Sequence, residues 1–269
     1  MTETLSNKNE IMKYLKSIIF CYTFFLCVNA NKSFAQTSIF SREKYISGNR
    51  DTLNYRMLIP DWDTLRRYPL VIFLHGWNEC GSDNEAQLKR GVMNFATDQN
   101  MILHPAIIIA PQCPEDSSWA NFSNVENSAY IRLAPTPTKP MELLIGLIHQ
   151  LIITMPIDTN RIYITGLSLG GTGTFDAIER YPNLFAAAVP VCGGGDISKA
   201  ASIAHIPIWI FHGAEDPAVN PKFSLEMVQA LTKAGGHPGF TEYPEVGHYS
   251  WLAAYSDPLM MEWLFRQHK

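Results

Sequence analysis

The chain alternates two kinds of segment, and that alternation constrains its fold more than any other feature. Residues 69–74 (PLVIFL), 106–110 (AIIIA), 161–165 (RIYIT), 186–191 (AAAVPV) and 206–211 (IPIWIF) are short apolar runs, each ended by Gly, Pro or His. Runs without polar alternation suit strands covered on both faces. Helical patterns lie between and after them, over residues 84–97, 141–155, 170–180, 221–234 and 258–267. Strand and helix in turn imply an α/β fold, a mostly parallel central sheet with helices on both faces. In such sheets an active site lies beyond the carboxyl ends of the strands. Ahead of the apolar runs, residues 38–46 and 53–59 alternate apolar and polar positions and read as an antiparallel lead-in pair. With 46% hydrophobic residues among 269, there is apolar material for one sizeable core, and residues 36–269 are expected to form a single domain.

Residues 1–35 are expected to be a secretory signal peptide. Lys13 and Lys16 precede an apolar run over 17–28, and Ser33-Phe34-Ala35 places small residues before a cleavage site at Gln36. The apolar run of about a dozen residues is short for a membrane span, which needs roughly 20. The mature chain is therefore expected to be secreted or periplasmic, without a membrane attachment. Export permits disulfides, yet Cys21 and Cys27 leave with the leader, so Cys80, Cys113 and Cys192 form at most one bridge. A Cys80–Cys113 bridge and three buried thiols are the two alternatives. The formal charge of -4 provides no basic field for a nucleic acid, and a neutral or weakly polar substrate is accommodated more easily.

Chemistry is concentrated at Gly166-Leu167-Ser168-Leu169-Gly170, between an apolar strand and a helical stretch. A strand turning abruptly into a helix presents the serine hydroxyl at the sheet edge and aims free backbone N–H groups, that of Leu169 included, at developing negative charge. A serine hydroxyl needs a base to take its proton and a carboxylate to orient that base. Asp216 lies in the loop beyond the 206–211 strand, with Glu215 and Asp196 as rival acids. His248, in Val246-Gly-His-Tyr-Ser-Trp251, is a Gly-flanked loop histidine ahead of the last helix, so Ser168, Asp216 and His248 are the expected catalytic residues. A second oxyanion donor is expected at the Trp77 N–H, after Phe73-Leu-His-Gly76. Because the base must be neutral, activity is expected to fall as pH drops through about 6 to 7. His75, His212, Asp216 and His248 converge at one end of the sheet but lack metal-ligand spacing, and no nucleotide-binding glycine motif is present. No metal and no cofactor are expected.

Phe73-Leu-His-Gly76, Gly81-Ser-Asp-Asn-Glu-Ala-Gln-Leu88, Ala110-Pro-Gln-Cys-Pro114, Gly166-Leu-Ser-Leu-Gly-Gly171, Cys192-Gly-Gly-Gly-Asp196, Phe211-His-Gly-Ala214 and Gly247-His-Tyr-Ser-Trp251 together resemble the phospholipase/carboxylesterase-like α/β-hydrolases. More narrowly, the chain looks like bacterial esterases grouped with feruloyl and acetylxylan esterases and polyhydroxybutyrate-depolymerase-like proteins, some labelled predicted peptidases. The resemblance runs from about Asn54 to the C-terminus. It implies a serine carboxylic-ester hydrolase working through an acyl-enzyme, with Trp77 and Leu169 as oxyanion donors. Two positions depart from it: Trp77 stands where a small residue is usual, and Cys80 where an arginine is expected. Trp77, Trp119 and Trp251, in loops expected to border the cleft, are candidate substrate contacts for an acetyl or feruloyl ester, free or linked to a plant-wall polysaccharide. The alternatives are a serine peptidase and a non-catalytic glycan-binding protein on the same fold.

Overall fold

The computed structural model describes residues 39–60, 63, 65–123 and 131–269, so the expected leader over 1–35 lies outside the described residues. The chain divides into Met1–Ile39 and Phe40–Lys269, and every element below belongs to the second. Its strands are β1 (Ser41–Ile46), β2 (Thr52–Leu58), β3 (Tyr68–Leu74), β4 (Ile107–Pro111), β5 (Phe122–Ser123), β6 (Arg132–Leu133), β7 (Ile157–Leu167), β8 (Ala187–Val191), β9 (Trp209–Gly213) and β10 (Gly239–Tyr243). The helices are α1 (Asp98–Leu103), α2 (Lys139–Thr154), α3 (Leu169–Arg180), α4 (Ala200–Ile203), α5 (Lys222–Lys233), α6 (Trp251–Ala254) and α7 (Pro258–Arg266).

Eight strands form one sheet in the order β1-β2-β4-β3-β7-β8-β9-β10, and β5 pairs antiparallel with β6 in a separate two-stranded sheet. The lead-in pair β1–β2 is antiparallel and joins β4 antiparallel, whereas every junction from β4 to β10 is parallel. All of β3 is buried, and its residues divide by parity: Leu70, Ile72 and Leu74 enter one apolar cluster, Val71 and Phe73 the other. Successive side chains of a strand leave on opposite faces, so an unbroken apolar run needs cover on both. On the first face that cover includes Leu144, Leu147, Ile148 and Leu151 of α2, Phe175 and Ile178 of α3, and Met227 and Leu231 of α5. Trp251 and Ala254 of α6 and Met260, Met261 and Leu264 of α7 cover the second. Thr138 caps α2 by accepting the Met141 N–H at 3.3 Å. Such a cap contributes about 1 kcal/mol, against roughly 1.5–3 kcal/mol for each buried Leu or Ile. Packing therefore holds this helix, and the cap fixes where it starts.

Residues 84–97 are not the expected helix but two 3-10 turns, Ala86–Leu88 and Val92–Asn94, followed by α1. The Asp83 carboxylate holds the first turn by accepting the Glu85 and Ala86 N–H groups at 2.9 and 3.0 Å. Between the turns the backbone passes so close over two rings that a Cβ on Gly91, at φ 75°, would lie 2.7 Å from both Phe73 and Tyr255. The apolar spacing there serves packing onto the sheet face rather than a continuous helix. The strand expected from residue 206 pairs continuously only from Trp209, because Pro207 has no N–H to give to the ladder.

Candidate active site

Strand β7 ends at Leu167 and α3 begins at Leu169, leaving Ser168 as the single residue that turns the chain, at φ 55° and ψ -115°. That conformation costs a residue with a side chain on the order of 1–3 kcal/mol. It is held by the Ser168 N–H donating to Val191 O and by Ser168 O accepting the Thr172 N–H, both at 3.0 Å. Only glycine fits at 170, where a Cβ would lie 2.0 Å from the Leu74 carbonyl oxygen. The tight packing of α3 against the end of β3 keeps the serine at the carboxyl edge of the sheet.

Loops after β9 and β10 bring the other two expected residues to that serine. His248 Nε2 lies 2.9 Å from Ser168 Oγ, and His248 Nδ1 lies 2.7 Å from Asp216 Oδ2. An ionised carboxylate only accepts, so Nδ1 carries the proton and Nε2 turns its lone pair to the hydroxyl. The Asp216 side chain is wholly buried, and Oδ1 accepts the Ala218 and Val219 N–H groups at 2.8 and 3.0 Å. His212 Nε2 sits 3.3 Å from Oδ2 and donates to Val219 O at 3.0 Å. Burial lowers the His212 pKa, which keeps that ring neutral. Asp216 is thus fixed on every side, whereas its expected rivals point elsewhere. Glu215 is exposed, and Asp196 pairs with Arg132 at 3.0 Å and accepts the Leu133 N–H at 2.9 Å.

The loop after β3 lies against the same edge, since a Cβ on Gly76 would fall 2.8 Å from Leu167 Cδ1. Two buried side chains clamp the Gly76 backbone. Its N–H donates to Glu79 Oε2 at 3.1 Å, and its carbonyl accepts from His75 Nδ1 at 2.7 Å. The other His75 nitrogen, Nε2, accepts the Cys113 N–H at 2.9 Å. Burial lowers the His75 pKa to about 4, so this neutral tautomer persists across the physiological range. Trp77 opens a 3-10 turn and Leu169 opens α3, and N–H groups in a first turn have no acceptor within their own helix. Leu169 directly follows Ser168, and Gly76, which precedes Trp77, packs against Leu167.

The tryptophans divide, which corrects the expectation that Trp77, Trp119 and Trp251 all contact substrate. Trp119 is 0% exposed and Trp251 2%, whereas Trp77 is 60% exposed. The Trp119 indole N–H donates to His75 O at 3.2 Å, so this ring belongs to the core beneath the site. Trp251 packs edge-on against His248 with centroids 5.2 Å apart, and Arg90 lies over its ring at 5.6 Å. Burial leaves neither ring a face for an incoming sugar or aromatic acid. Tyr249, 61% exposed and next to His248, is the aromatic at that loop which faces solvent.

Several supporting residues escaped sequence reasoning. Glu79 accepts at Gly76 and pairs with Arg90 Nε at 3.2 Å, so one carboxylate links the Gly76–Trp77 loop to the ring behind His248. Gly76-x-x-Glu79 has the spacing of half a capping box, a signal that could have found it. Arg90 carries no such local signature. All three described cysteines are free. Cys192, Asp216 and His248 bring donor atoms within 4.8 Å of one another, the one potential metal-binding group found among the described residues. In it, Oδ2 and Nδ1 face each other in a hydrogen bond rather than a common point.

A sequence profile of the Phospholipase/Carboxylesterase family matches residues 62–257. A bifunctional acetylxylan esterase/xylanase of Neocallimastix patriciarum is 31% identical over 83 residues, covering 31% of this chain and 12% of that protein. Poly(3-hydroxyalkanoate) depolymerase C of Paucimonas lemoignei is 23% identical over 267 residues, covering 86% of this chain and 58% of its own length. Among solved structures, a thermostable esterase superposes with a TM-score of 0.81 at 39% identity, covering 87% of this chain and 64% of the other. A ferulic acid esterase of Anaeromyces mucronatus, at 17% identity and TM-score 0.59, covers 85% of this chain and 90% of its own and shares the fold. The architecture is the α/β-hydrolase fold that the sequence motifs implied.

Proposed function

Because the chain belongs to the phospholipase/carboxylesterase family, we propose that it hydrolyses carboxylic esters through an acyl-enzyme, with Ser168 as nucleophile, His248 as general base and Asp216 as the acid that orients it. The observation that carries this reading is the unbroken contact chain from Ser168 Oγ to His248 Nε2 at 2.9 Å and from Nδ1 to Asp216 Oδ2 at 2.7 Å. As Oγ bonds to the ester carbonyl carbon, Nε2 takes its proton, and Asp216 stabilises the imidazolium. The oxyanion is received by the N–H groups of Trp77 and Leu169, a kind of contact worth about 100- to 1000-fold in kcat per donor. His248 then protonates the departing alcohol. Water, deprotonated by the same nitrogen, attacks the acyl carbon, Ser168 regains its proton, and the acid leaves.

The substrate class is an acetyl or feruloyl ester borne by a plant-wall polysaccharide. It is supported by the acetylxylan esterase activity named for one relative and by the exposed rings of Trp77 and Tyr249, each next to a residue of the machinery. We further propose that the protein is secreted or periplasmic, as a catalytic domain over 36–269 released from its leader, a reading supported by Lys13 and Lys16 ahead of the apolar run over 17–28. Purified protein is tested with a fluorophosphonate probe and with acetylated xylan, methyl ferulate and short nitrophenyl esters. Wild type is expected to be labelled and Ser168→Ala neither labelled nor active, with kcat down by about 10,000-fold or more. Labelling that survives in Ser168→Ala refutes the nucleophile, and wall esters turned over no better than nitrophenyl acetate refute the substrate. N-terminal sequencing of exported material is expected to begin at Gln36.

A further inference from the structure

The loop that carries Trp77 does not end at Glu79. Its next residue, Cys80, is held opposite Cys113 by hydrogen bonds on both sides. The Gln112 amide donates to Glu79 O at 3.2 Å, and the Gly81 N–H donates to Cys113 O at 2.9 Å. Cys80 N–H closes the turn onto Trp77 O at 3.1 Å, while Cys113 N–H is bound to His75 at 2.9 Å. Both cysteines are thus tied to the segment 75–77, which sets them on facing stretches of chain. A disulfide needs its two Cα atoms within roughly 4.4–6.8 Å and its Cβ atoms facing. The Gln112 side-chain bond to Glu79 and the backbone bond from Gly81 to Cys113 flank Cys80 and set it across from Cys113, the placement a bridge requires.

We propose that Cys80 and Cys113 are a redox pair, which an external disulfide oxidises to an intramolecular bridge that staples the Trp77 loop to the end of β4. The pair is asymmetric in the way such a reaction needs. Cys80 is partly exposed and Cys113 buried, so attack begins at Cys80. The neighbouring Cys113 thiol holds Cys80 below the ordinary cysteine value, and Cys80 together with burial pushes Cys113 up. The Cys80 thiolate bonds to one sulfur of the external disulfide and releases the first thiolate. Cys113, passing its proton to that thiolate, then attacks Cys80 Sγ and expels the second. Two protein thiols lose two electrons and two protons, and the external disulfide becomes two thiols. Cys192 is the internal control, because it is buried and its thiol is pushed up to about 12 by that burial.

This chemistry does not depend on the ester-hydrolase reading, and neither does its test. The full chain is incubated with glutathione disulfide or with dithiothreitol, alkylated, and digested with trypsin without reduction. Cys80 falls in peptide 68–89 and Cys113 in peptide 91–132. The expected result is a linked pair of these peptides, about 2 Da below their sum, lost on reduction and absent from Cys80→Ser. The oxidised protein is expected to melt about 5–10 °C higher than the reduced one. Amide exchange over 75–81 is expected to slow on oxidation. A persistent glutathione adduct on Cys80, or free Cys80 and Cys113 after oxidation, overturns the proposal. A bridge that leaves both melting and exchange unchanged overturns the staple.

Discussion

Glu79 is expected to matter to both stability and turnover although it touches no substrate. Its buried carboxylate accepts the Gly76 N–H at 3.1 Å and faces Arg90 at 3.2 Å. Burial raises its pKa, and Arg90 with the Gly76 N–H pulls it back. In Glu79→Ala the Gly76 N–H loses its acceptor, at about 1–3 kcal/mol. Arg90, with a third of its side chain exposed, turns to solvent at a further cost of about 0–1 kcal/mol. The sum of about 1–4 kcal/mol corresponds to a melting temperature lower by roughly 2–16 °C. Freed of that acceptor, the His75–Gly76 peptide shifts, and the Trp77 N–H, one peptide further on and still held through the Gly76 carbonyl by His75, is displaced rather than removed. The kcat on nitrophenyl acetate should then fall about 10- to 100-fold, within the loss seen when such a donor is deleted, while KM changes little. Glu79→Gln keeps a carbonyl for the Gly76 N–H and should recover most of the activity. Thermal melts and steady-state kinetics on the three proteins decide the matter. Equal kcat in wild type and Glu79→Ala, or a glutamine variant no better than alanine, would refute the clamp.

Two further outcomes follow from burial and exposure. Glu179 is buried, and its pKa is raised well above the ordinary value, chiefly by desolvation; Oε1 accepts the Asp196 N–H at 2.8 Å and Oε2 has no hydrogen-bond partner among the described residues. A raised folded-state pKa favours folding while the group is protonated, and that stability is lost as pH climbs through the folded value. Glu179→Gln, which never ionises, should therefore melt like wild type near pH 4 and progressively higher than it toward pH 8; parallel melting curves against pH would sink this assignment. Trp77→Ala removes an exposed ring but keeps the backbone N–H, so KM for methyl ferulate should rise about 10-fold with kcat nearly unchanged. An equal loss on nitrophenyl acetate would instead point to a disturbed loop.

Amino-acid order alone determined the layers and the residues with chemical potential. The apolar runs at 69–74 and 106–110 can only be satisfied when buried on both faces, and the glycine-flanked Ser168 between a strand and a helix has a local geometry that few other contexts permit. Those are local properties, readable within a few neighbours. Tertiary structure decided what depends on distant parts of the chain. Whether a tryptophan faces solvent is settled by what packs on it, so Trp119 and Trp251 are buried and Trp77 is not. The apolar spacing over 84–97 could not disclose that Phe73 and Tyr255 crowd Gly91 and interrupt a helix there. Nor could sequence reveal that Glu79, Arg90 and Trp251 join two loops remote in the chain, because a hydrogen bond or ring contact across the sheet edge leaves no periodic trace.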